Sequence, residues 1–362
     1  MSVKPTRDAN SSVVEPNRLA GLDGLRGVAA LTVVAHHTFE CLGTFAANGL
    51  QTAFLTLGQQ CVWLFFVISG VVLTRSALRP EFRTSTFLIS RVVRLYIPTI
   101  AAAMFTYLSM VLVSRKAPTG NPWIDGHPRS ISLSAIASDF TLVDSTSGNL
   151  MPLWSLKWEV LYSAFLLVFI LLARTTKWMV IMGGALILGS AGLGQLPFYA
   201  SMFLIGTVIG VNFDRIYSYL YSRQLLSSVL AILGIALIGS GNFIQGWTHS
   251  TYSGNLAIFL SLLGISCLVV SADTSVTIYF LRSRPIQFLG MISFSLYLVH
   301  EPIIIAASRL GRLDPSIILT GALTSVGVAY LFYRTIEKRA HALSRSLAAE
   351  DNWRQTTPGR TP

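Results

Sequence analysis

The chain has 362 residues, 52% hydrophobic and only 12% charged, with a formal net charge of +11. Soluble domains are about 25% charged, so this composition excludes an ordinary soluble fold. It points instead to repeated membrane spans of roughly 20 apolar residues each.

Residues 1–19 form a polar segment without the apolar core of a cleavable signal peptide, and are expected to stay in place on the cytoplasmic side. About ten spans follow. They are expected at Asp23–Leu42, Gln59–Leu78, Phe87–Val113, Pro152–Ala173, Trp178–Leu193, Leu196–Phe213, Leu225–Ile244, Asn255–Ser271, Ile286–Ser308 and Ser316–Tyr333. The reading is therefore an all-α, polytopic transmembrane helical bundle, one membrane domain over residues 20–340, followed by a polar, disordered tail at 341–362. Most of the 27 basic residues fall in loops on one face of this arrangement, which places both termini in the cytoplasm by the positive-inside rule. The same bias accounts for the net charge, since no aromatic-basic or finger pattern of a nucleic-acid binder is present. Two short apolar stretches, Thr52–Leu57 and Ile131–Val143, are expected to lie along an interface or re-enter. The longest connection, Ser114–Met151, holds Pro118, Gly120, Pro122, Gly126 and Pro128, which suits an ordered outer loop able to cap a site. Cys41, Cys61 and Cys267 have neither disulfide nor zinc spacing, and no metal site is evident.

Ionisable residues inside spans are costly and mark function by default. In the first span Arg26 and His37 are eleven steps apart, about 20° off a shared helical face, with His37 about 16 Å deeper. His36 points about 80° away from that face, so His37 is the partner of choice, and Glu40 lies on much the same side. An interfacial anchor is the competing reading of Arg26. In the fourth span Ser155, Glu159 and Tyr162 share a face. A buried carboxylate such as Glu159 needs a partner, either a histidine or an inward-facing arginine. In the ninth span Ser293, Tyr297 and His300 fall at i, i+4 and i+7, a single stripe, with ordinary polar packing as the competing reading. Pro302 marks a kink or break. His37, Glu159 and His300 are thus expected at overlapping depths, with Arg26, Arg91 and Arg94 at the cytoplasmic mouth.

These residues resemble the acyltransferase-3 family of bacterial membrane O-acyltransferases, over about Leu22 to Glu337. Five pieces carry the resemblance. Asp23-Gly24-Leu25-Arg26 leads into the family's arginine-ten-residues-histidine motif at Arg26 and His37. Phe65-Phe66-Val67-Ile68-Ser69-Gly70 matches the second-span signature, and Arg91-Val92-Val93-Arg94-Leu95-Tyr96-Ile97-Pro98 the basic entry to the third. Trp154-Ser155-Leu156 with Glu159 matches the central motif, and Ser295-Leu296-Tyr297-Leu298-Val299-His300 the late one. The doubled histidine at 36 and 37 departs slightly from the pattern, and no esterase-like C-terminal domain is encoded.

The resemblance implies transfer of an acyl group, usually acetyl, from a cytoplasmic acyl-coenzyme A to a hydroxyl of a saccharide or other envelope molecule, at the inner membrane. It implies His37 and Glu159 as catalytic residues, Arg26, Arg91 and Arg94 as donor-binding, and Ser155, Tyr297 and His300 as substrate-binding. A proton-coupled transporter using buried His and Glu is the alternative, although the inverted repeats common in transporters are not evident.

Overall fold

The computed structural model describes residues 19–43, 49–142, 147–175, 177–247 and 251–356. The N-terminal segment before Leu19 and residues 357–362 of the expected tail lie outside them. All secondary structure among the described residues is helical. The helices are α1 Ala20–Leu42, α2 Gly49–Ala77, α3 Thr84–Leu112, α4 Pro122–Asp125, α5 Leu133–Thr141, α6 Leu153–Ala164, α7 Leu166–Thr175 and α8 Trp178–Ser190. They continue as α9 Gln195–Val211, α10 Phe213–Tyr221, α11 Gln224–Trp247, α12 Thr251–Ser271, α13 Ile278–Leu281, α14 Arg284–Leu310 and α15 Pro315–Phe332. A π-helical turn, Tyr333–Glu337, joins α15 to α16, Lys338–Thr356.

Every expected span is helical, yet by length and apolarity 5 helices among the described residues qualify to cross a membrane, or 7 if two bent pairs each count as one span, against the ten expected. The bent pairs are α6 with α7, which turn by 61°, and α9 with α10, which turn by 66°. The shortfall has physical causes. Helix α8 is short, and α1 is diluted by the polar residues of the candidate site. Thr52–Leu57 is the opening of α2 and not a separate interfacial segment. Pro302 sits inside α14 without ending it. Residues 341–356, expected to be disordered, continue α16. Ala340 and Ser344, small and four apart, are buried, and Ser344 exchanges hydrogen bonds with Ser90 on α3.

The pairing of α1 with α14 positions the site. A side-chain carbon on Gly27 would collide with the Gly290 amide, and one on Gly290 with the Asp23 carbonyl, so the backbones approach as only small residues permit. His37 and His300 each lie ten residues beyond this crossing. Ten residues of helix rise about 15 Å, so two helices running the same way from a shared contact deliver both imidazoles to one level. Gly58 on α2 leaves room for the His36 ring, which a larger residue would strike.

Candidate active site

At the arginine end, α3 lies against α6 and presents Arg91 to Glu159. Arg91 Nη2 donates to Glu159 Oε1 at 2.6 Å and its Nε to Ser163 Oγ at 3.3 Å. Ser69 Oγ, from the second-span signature, donates to the same Glu159 oxygen at 3.1 Å. Of the two partners the sequence allows Glu159, the structure therefore supplies the arginine. Glu159 is expected from the sequence at the level of His37 as its support; the side-chain partners it has among the described residues are Arg91 and Ser69, at the arginine end. Arg26, Arg91 and Arg94 line one cavity with Asp23, Glu159 and Glu337. Glu337, carried inward by the π-helical turn, is buried and accepts a hydrogen bond from Ser295 Oγ at 2.5 Å.

A second cavity adjoins the first, sharing Arg26, Glu159, Ser293 and Phe294, and reaches Ser155 and Tyr297. Ser155 Oγ donates to the Pro152 carbonyl at 3.0 Å, so the Tyr297 hydroxyl, 2.8 Å away, donates to Ser155. Pro152 sets this geometry by opening α6 beside its own carbonyl. The Tyr297 ring then stands 6.2 Å from that of His300. The two cavities together run from the arginines to Tyr297, the neighbour of His300.

At the histidine end the His37 ring is stacked between two others, His300 at 5.3 Å and Trp123 at 5.1 Å. Its carboxylate partner is Glu40, one turn further along α1, with His37 Nδ1 at 2.9 Å from Glu40 Oε2. Glu40 accepts there, so Nδ1 carries the proton and Nε2 is left as the acceptor. His36 is further from the same oxygen, at 3.5 Å. The ligand-type atoms of His36, His37 and Glu40 lie within 4.8 Å of one another, a proximity not expected from the sequence. His300 is fully buried and its Nδ1 lies 2.9 Å from the Leu296 carbonyl. Nδ1 is therefore the donor, and Nε2 is again the acceptor; it has no hydrogen-bond partner among the described residues.

The long connection closes over this end, as its turn-rich composition leads one to expect. Asn121 Nδ2 donates to the carbonyls of Glu40 and Cys41 at 3.0 and 2.9 Å, satisfying the last turn of α1. That fixes α4 and sets Trp123 on His37. His127 Nδ1 donates to the Trp123 carbonyl at 2.8 Å and its Nε2 is paired with Glu301 Oε1 at 2.7 Å, while the Met151 amide donates to Glu301 Oε2 at 2.7 Å. Both His127 and Glu301 are buried. In the same loop, burial pushes the Asp125 carboxyl up, but the amides and hydroxyl of Thr119 and Gly120 outweigh it and hold it below the usual range.

The structure therefore brings together His37 with His300, Ser155 with Tyr297, and Glu159 with Arg26, Arg91 and Arg94, but not Glu159 with His37. Sequence reasoning placed Glu40 on the right face without a role, and passed over Trp123, His127, Glu301 and Glu337. The His300-Glu301 pair in an apolar helix, and Trp123 with His127 four apart in the loop, were the available signals.

Fold and site define a multi-pass helical membrane protein whose interior holds cavities running from buried arginines to Tyr297, beside a stacked pair of histidines. The chain belongs to the acyltransferase-3 family: the family model described as an acyltransferase domain matches residues 19–334. It is accordingly a membrane acyltransferase, and the transporter alternative gives way to an enzyme. No curated protein and no solved structure matches the chain significantly.

Proposed function

We propose that this enzyme moves an acyl group, acetyl in the first instance, from cytoplasmic acyl-coenzyme A to a hydroxyl of a saccharide or other envelope molecule, with His37 as the general base. The observation that carries the reading is the His37–Glu40 pair, 2.9 Å apart, stacked on His300, whose neighbour Tyr297 lines the cavity that adjoins the arginines. A neutral hydroxyl attacks a thioester slowly, and a base that takes its proton as attack proceeds contributes typically about 10²–10⁴-fold. With Nδ1–H donating to Glu40, the Nε2 of His37 is the accepting atom. The hydroxyl oxygen bonds to the acyl carbon, the carbon–sulfur bond breaks, and the proton held by His37 passes to the departing thiolate. Glu40 stabilises the imidazolium formed in between, the role a carboxylate has in other acyl-transfer sites.

Arg91 and Arg94 act on the donor side with Arg26, and Glu159 is a positioning residue acting through Arg91. Ser155, Tyr297 and His300 line the acceptor side. The enzyme sits in the inner membrane with both termini cytoplasmic, a reading supported by the loop-charge bias. The test is thiol release from acetyl-coenzyme A by purified protein supplied with saccharide acceptors. His37→Ala should abolish turnover while the protein stays folded, and His36→Ala should lose much less. Near-normal turnover in the His37 variant, or greater sensitivity at His36, would overturn the assignment.

A further inference from the structure

Three cavities meet at the arginine end, and their charges differ. The one leading inward is balanced, with Arg26, Arg91 and Arg94 facing Asp23, Glu159 and Glu337. A second, between α1, α2 and α9, sets Arg26, Arg75, Arg79 and Arg94 against Asp23 and Asp214, and Arg75 is already paired with Asp214 at 2.6 Å. The third, between α2, α3 and α16, gathers Arg79, Arg83, Arg94 and Arg345, with the Glu159-paired Arg91, against Glu81 as its one lining acid. It adjoins the balanced cavity through Arg91, Arg94 and His341, which line both.

The acyl donor has the same division of charge. Its nucleotide end carries a diphosphate and a further phosphate, whereas the arm ending in the thioester is uncharged. Resting on the donor reading given above, we infer that the phosphates of the donor bind in the α2–α3–α16 cavity and that α16 supplies donor-binding residues, Arg345 and His341. The uncharged arm then takes the balanced cavity inward to Tyr297. Arginine forks suit phosphate oxygens, and hydrogen bonds between charged groups are the stronger kind. Arg26 lines the balanced cavity and the one that reaches Tyr297 but not the α2–α3–α16 cavity, and so serves the arm and not the phosphates.

Helix α16 lies beyond the matched residues 19–334, so this half of the site is built by a part of the chain the family match does not reach. It is nevertheless held in place. Ser90 and Ser344 exchange hydrogen bonds at 3.5 and 3.4 Å, and Ala340 and Ser344 are buried. His341 and Arg345, four apart on α16, share a helical face over the cavity.

The test compares two donors on the full-length protein in detergent: acetyl-coenzyme A, and the acetyl thioester of N-acetylcysteamine, which has the reacting group and no phosphate. Arg345→Gln should raise the KM for acetyl-coenzyme A about tenfold, the scale of one charged hydrogen bond, and leave turnover of the short thioester unchanged. Arg345→Lys should recover part of the loss, and raised salt should weaken the wild-type protein's affinity for coenzyme A more than the variant's. If Arg345→Gln handles acetyl-coenzyme A like the wild type, the subsite is wrong and the donor reading stands. If it loses both donors equally, α16 is structural and the subsite is again wrong. If the wild-type protein neither binds coenzyme A nor turns over its thioester while it accepts the short one, the donor reading falls and the subsite with it.

Discussion

Replacing Glu40 by glutamine keeps a hydrogen-bond acceptor for His37 Nδ1, 2.9 Å away, but removes the negative charge. If His37 gains a proton during transfer, that charge is worth most at the transition state. For charge centres about 5 Å apart in an effective dielectric of about 20, the interaction is about 3 kcal/mol, or about a hundredfold in rate. We therefore expect Glu40→Gln to lower kcat by about 10² with little change in the KM for acyl-coenzyme A, because Glu40 pairs with His37 and lines none of the cavities that hold the arginines. Glu159→Gln should show the opposite split. It keeps an acceptor but removes the charge that holds Arg91, bound to it at 2.6 Å, so KM for the donor should rise more than kcat falls. Steady-state kinetics of the purified variants, with thiol release as the signal, measure both. A kcat within about threefold of wild type for Glu40→Gln would refute the reasoning, since so small a change leaves no room for the computed charge term.

Two further outcomes test the architecture. Gly290→Val places side-chain atoms against the Asp23 carbonyl on α1; overpacking of this kind costs about 1–3 kcal/mol, so thermal unfolding in detergent should begin measurably earlier, with activity falling as the two histidines separate. An unchanged midpoint would mean that the α1–α14 contact is looser than the structure has it. Reporter fusions after Ile244 and after Ala349 should report outside and inside respectively; the reverse pattern would overturn the proposed topology and the assignment of the arginine end to the cytoplasm.

Much of the candidate site was legible because helical phase and cost are local quantities. Eleven steps from Arg26 return to His37 and exclude His36, and four and seven steps from Ser293 reach Tyr297 and His300 on one stripe; no tertiary information enters either statement. The price of an ionisable group in an apolar span likewise singles out Arg26, His37, Glu159 and His300 from composition alone. The partner of each group was a different matter. Glu159 had two chemically sound partners, and which it meets depends on α3 lying alongside α6. Glu40 was on the right face, yet its side chain reaches His37 only through a choice of rotamers that phase does not set.

The sequence by itself determined a helical membrane bundle, the order of its helices, and the histidine and arginine stripes, because each follows from hydrophobicity and a period of about 3.6 residues. Only the tertiary structure decided which stripes meet. Gly27 and Gly290 carry no polar signal, but their missing side chains let α1 and α14 touch, and that contact alone puts His37 beside His300. Trp123, His127 and Glu301 come together because a loop folds back over the helix ends to satisfy the carbonyls of α1. The helical run of α16 past residue 340 was likewise invisible to hydropathy, since it is small residues packed on α3, not apolar ones facing lipid, that hold it. Periodicity along one chain reports what a helix buries; what it buries against is a property of the neighbours.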